Sequence, residues 1–230
     1  MRAGVQYVFA VALRTQRWAP PAILLVGLIA WVWSTPPVAL DTVKVVAIVE
    51  FALACWLGYT TVTSEEPGQE AITISCLGSV GRLVVARWIA AFTMAACFPL
   101  IMLIGSYVLR VFQPEPALAA GLLLIATAAC AAAVGALVGS LLPTRPGWAA
   151  GLLIIVTLTQ AVPNVAPVGL ANGALTQTGL VAWPQLLAAS GLGAVITIVA
   201  LKAVVLLRRN GPAASRPGTA DLAGGHTDQP

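Results

Sequence analysis

Charge is confined to short intervals of this chain, and between them run apolar stretches long enough to cross a lipid bilayer. A helix needs about 20 residues to span a hydrocarbon core of roughly 30 Å. The stretch from Trp18 to Leu40 holds no charged residue at all between Arg17 and Asp41. Only 9% of residues are charged against 59% hydrophobic, where a soluble domain carries about 25% charge. A soluble fold would therefore leave wide apolar patches facing water. The fold class expected is an all-α membrane protein.

Six runs qualify as transmembrane helices: 18–40, 45–62, 84–109, 117–141, 148–163 and 185–207, within a membrane domain of 18–209. Loops rich in Lys and Arg stay on the cytoplasmic side. Six crossings place Arg2, Arg14, Arg17, Arg82, Arg87, Arg145, Lys202, Arg208, Arg209 and Arg216 on one side, ten of the twelve basic residues, and only Lys44 and Arg110 on the other. That division predicts cytoplasmic N and C termini. Trp18, Trp88 and Trp148 fall at inner ends, and Trp31, Trp33, Tyr107 and Trp183 at outer ends, where amphipathic rings anchor at the interfaces.

The flanking segments read differently. In residues 1–17, Val5, Val8, Phe9, Ala12 and Leu13 recur at helical spacing beside Arg2, Arg14 and Arg17, which predicts an amphipathic interfacial helix on the inner membrane surface. The outer segment 164–184 has no charge and is broken by Pro167, Gly169, Gly173 and Gly179. It is expected to form short helices or a re-entrant piece packed into the outer leaflet, or else a plain surface loop. The tail 210–230, rich in Gly, Pro, Ala, Ser and Asp, cannot bury a core and is expected to be disordered in the cytoplasm.

Composition also narrows the chemistry. The formal charge of +4 is spread along the chain without a basic face interleaved with aromatics, so nucleic acid is not an expected partner. Cys55, Cys76, Cys97 and Cys130 show no metal-ligand spacing, and the single histidine, His226, lies in the tail. With neither GxSxG nor clustered His or Asp in the spans, no catalytic residues and no metal site are assigned, and an enzyme is not expected.

The longest loop on the basic side, 64–82, holds three of the eight acidic residues, Glu65, Glu66 and Glu70. Pro67 suits a first helical turn, carboxylates favour a helix N-terminus and Gly78 suits a stop, so a short helix is predicted from Pro67 to about Leu77. The pattern Glu66, Gly68, Glu70, Leu77, Ser79, Arg82 and Arg87 resembles the permease subunits of ABC type 2 transporters. Their second span is followed by an acidic, Gly-containing segment, a short helix, a turn and a basic start to the third span. The turn Gly78-Ser79-Val80-Gly81 departs from the Pro-containing turn the family often shows.

The resemblance implies a type 2 ABC exporter-like fold and a coupling role for Glu65, Glu66, Gly68, Glu70, Ile74, Leu77 and Arg82 against a separate ATPase subunit. That subunit would bind ATP and Mg, since the chain has no GxxxxGK[ST] phosphate loop and no cofactor of its own. It further implies a second permease protomer, identical or homologous, and export of a hydrophobic or amphipathic molecule such as a drug, lipid or peptide. A bacterial inner membrane is the expected location.

Glu50 is the one carboxylate well inside a span, about 12 Å from Thr42 at roughly 1.5 Å per residue. Such a residue costs about 2.5–3.5 kcal/mol on insertion scales. It would line a translocation path or a protomer interface, or be satisfied as structure. An ion- or proton-coupled secondary transporter using Glu50 is the alternative function. In the fourth span, Gly135-x-x-x-Gly139 permits close helix approach, within the protomer or between two.

Overall fold

A computed structural model describes residues 2–34, 40–65, 67–108, 114–162, 167–169 and 183–210. These form helices α1 (Arg2–Arg14), α2 (Ala19–Ser34), α3 (Leu40–Thr63), α4 (Pro67–Leu77), α5 (Val80–Val108), α6 (Pro114–Leu141), α7 (Pro146–Gln160) and α8 (Trp183–Asn210), with no strand among the described residues. Proline opens α4, α6 and α7, where its missing N–H costs nothing and its fixed φ suits the first turn. Gly78, at φ +76°, ends α4 in the left-handed region that a side chain would resist.

Among the described residues, four helices are long and apolar enough to cross a membrane: Thr42–Thr63, Val80–Gly105, Leu118–Leu141 and Pro184–Arg209. A fifth is added if α1 and α2, which meet at 84°, are taken together. At 15 residues, α7 reaches about 22 Å, short of the roughly 30 Å core. The expected first span runs on to Leu40; α2 is described to Ser34, and residues 35–39 lie outside the described residues.

The core is the α3–α6 pair, with α8 and α5 packed against α6 and α5 also against α3. Small residues make that pair close. A Cβ added to Gly58 would overlap the Ala132 carbonyl, and one on Gly135 the Cys55 carbonyl; on Gly139 it would stand 3.2 Å from the Tyr59 carbonyl. The Gly135–Gly139 spacing is thus used inside the protomer. Outward faces stay apolar: Ile23 is 72% exposed, and Leu24, Val26, Ile154, Ile155, Leu158 and Val199 are exposed too. Hydrocarbon solvates such faces; water would not.

Helix α1 forms where the spacing placed it, with Gly4, Val8 and Ala12 on one buried face. That face is covered by protein: Val8 packs with Leu83, Ala86 and Ala90 of α5, and Val5 and Phe9 of α1 and Ile74 and Leu77 of α4 pack against the same cluster. Tyr7 and Leu13 remain exposed on the same helix. The Trp88 Nε1–H donates to the Ala129 carbonyl of α6 at 3.0 Å, and its ring stacks on Phe92 at 5.6 Å.

Of the outer segment, the described Pro167–Gly169 forms one helical turn, with Val168 1% exposed. It borders a crevice with Phe51 of α3, Thr127 of α6 and Ala189 of α8, well below the helix ends. The Val168 N–H lies 3.5 Å from Oε1 of the buried Gln160. This turn dips into the bundle. The tail, Arg110, Arg216 and His226 lie outside the described residues, as does the rest of 164–184 up to Ala182.

Candidate functional site

The end of the bundle that carries most of the basic residues is where α3, α4, α5 and the last turn of α8 meet. Helix α3 arrives with its Thr60, Thr61 and Thr63 hydroxyls donating back to carbonyls three or four residues earlier, so no polar group there is left open. The chain turns through Ser64 and Glu65 into α4. After Gly78, the Ser79 Oγ accepts the Arg82 backbone N–H at 3.2 Å, capping α5, while the Arg82 guanidinium donates to the Leu77 carbonyl at 3.2 Å, closing α4.

One turn and a half further along α5, Arg87 points back beneath α4. Its Nη2 donates to Glu65 Oε2 at 2.9 Å and its Nη1 to Glu70 Oε1 at 3.2 Å; the Arg87 and Glu65 side chains are each 1% exposed. Arg208 of α8 also pairs with Glu70 Oε1. Two guanidinium and two carboxylate groups balance, which is what allows charge to persist away from water. Nε of Arg87 and Nε of Arg208 have no partner among the described residues. The cluster ties α4 to α5 and α8, so α4 cannot shift as a body without straining buried ion pairs.

The residues expected to couple to a partner therefore divide. Glu65 and Glu70 sit in the internal cluster; Ile74 and Leu77 pack within the chain, Leu77 over Gly4; Arg82 is exposed and closes the helix. Gly68 is exposed, and Glu66 lies outside the described residues. Glu65 and Glu70 thus anchor α4 from below through Arg87 and Arg208, with Glu70 in the first turn of the helix. The outward face is Gln69, Ile72 (66% exposed) and Cys76, which with Ala3 and Tyr7 of α1 border a groove of about 410 Å³.

Sequence reading did not find Arg87 and Arg208 as partners of these acids. The available signal was the two arginines at the membrane end of apolar runs on the side where the acids cluster. Glu50 lies elsewhere, 2% exposed and enclosed among α2, α3, α5 and α6, not on an outer face. No group of three or more metal-ligating side chains occurs among the described residues. Comparison with protein-family models, curated proteins and solved structures gives no match.

Proposed function

We propose that the chain is the transmembrane permease subunit of an ATP-binding cassette exporter, coupled through α4 to a separate ATPase subunit that binds ATP and Mg. The observation that carries this reading is the tie of Glu65, Glu70, Arg87 and Arg208, which fixes a short exposed helix to two long apolar ones. A plain connecting loop has no use for a buried Arg87–Glu65 pair, costly to desolvate, extended by the half-buried Glu70 and Arg208. A helix that must pass a push from a soluble partner to the spans does. The exposed face of Gln69, Ile72 and Cys76 beside α1 is then the surface the ATPase meets.

On this reading the chain crosses a bacterial inner membrane six times, with α2 and α7 as spans and both termini cytoplasmic, and pairs with a second permease protomer. The transported molecule is hydrophobic or amphipathic. Purification in mild detergent is expected to retain a cassette-type ATPase, with no ATP hydrolysis by the chain alone. An impermeant thiol reagent is expected to reach the exposed Cys76 in inverted vesicles and not in intact cells, in a Cys97→Ser background that removes the other exposed thiol. Labelling of Cys76 from outside intact cells would reject the proposal.

A further inference from the structure

Glu50 lies about 15 Å along α3 from Leu40, and its Oε1 has no hydrogen-bond partner among the described residues. It faces a small cavity walled by Leu25 and Ile29 of α2, Phe98, Pro99 and Met102 of α5, and Leu124 of α6. There is room for about one water molecule. None of the described titratable groups on the surrounding helices lines it: Lys44, Cys55 and Tyr59 on α3, Arg82, Arg87 and Cys97 on α5, and Cys130 on α6 lie elsewhere, and α2 has none.

An ionised carboxylate here would have room for at most about one water and no cation on the cavity wall. Metal ions fit poorly, since even a hard cation takes about six oxygen ligands and the walls are apolar. The proton is the cation that one carboxyl can hold. Pro99 adds the second element. It stands inside α5 without an N–H for the Ala95 carbonyl, so the helix lacks one rung beside the cavity. The facing wall, α2, is only lightly packed on α5.

We infer that Glu50 is a proton-binding site: the closed bundle holds it as the neutral acid, and bending of α5 at Pro99 away from α2 wets the cavity, whereupon the O–H bond breaks and water takes the proton. The site belongs to the chain itself and does not rest on the permease reading. Infrared spectra of the purified chain in lipid nanodiscs, with Glu50→Gln subtracted, test it; Glu50→Leu serves as the reference if the glutamine variant does not fold.

An acid C=O band from Glu50 is expected, absent from Glu50→Leu. On transfer to deuterated buffer the band is expected to shift as its proton exchanges, more slowly in Pro99→Ala, which restores the missing rung, and faster in Leu25→Ala, which thins the α2 wall. Absence of an acid band from Glu50 would overturn the proton site. Exchange unmoved by either wall variant would overturn the Pro99 opening.

Discussion

Glu65 and Glu50 are both buried carboxyls on or just beyond α3, and their surroundings are opposites. Glu65 meets Arg87 at 2.9 Å within a balanced set of four charges; Glu50 meets apolar walls and a proline. The difference lies in position. Near the helix ends, long arginine stems can bring guanidinium groups to an acid and still approach the interface, whereas mid-helix no such group is at hand and the acid must hold its own proton. One acid is built to stay charged and fasten helices together, the other to change its charge.

Removing Arg87 tests the first half most severely. Arg87→Leu would leave Glu65 buried beside no cation, and a loss of about 3–5 kcal/mol is expected, read as a fall in the unfolding midpoint in detergent or as absence of folded protein. Arg87→Lys should recover only part, since one ammonium cannot fork to both carboxylates. A neutral Arg87→Leu would mean the cluster bears no load.

Glu65→Gln is the next largest, with about 1–3 kcal/mol expected from weakening the charge-assisted bond to Arg87 while Glu70 remains. Glu50→Leu should contrast with both. Replacing an unpaired acid in an apolar cavity is expected to leave stability within about 1 kcal/mol or to raise it. A loss as large as that of Arg87→Leu would reveal a partner for Glu50 and erase the distinction between the two acids. Smallest of all, Ile72→Arg on the exposed face of α4 should change stability by no more than about 0.5 kcal/mol.

Much of this arrangement was legible in the residues. The bounds of α4 followed from Pro67 and Gly78, because a missing N–H and a positive φ act locally and show in the sequence. The long spans followed from runs of apolar side chains closed by charges. The fates of Glu65 and Glu70 did not, because Arg208 is distant in sequence and its approach depends on how α8 packs against α6 and α5. The bond from Trp88 to the Ala129 carbonyl was hidden for the same reason, since it depends on which backbone packs beside the ring. Helix α7 ends at Gln160 although its apolar run continues to Val162.

The most direct measurement of the central claim is ATP hydrolysis by the chain purified together with the cassette ATPase proposed to bind it, comparing wild type with Ile72→Arg. The account predicts hydrolysis stimulated by the wild-type chain and a fall to the ATPase's basal rate in the variant, with its unfolding midpoint unchanged. Stimulated hydrolysis undiminished in a folded Ile72→Arg chain would contradict the assignment of α4 as the surface that meets the motor.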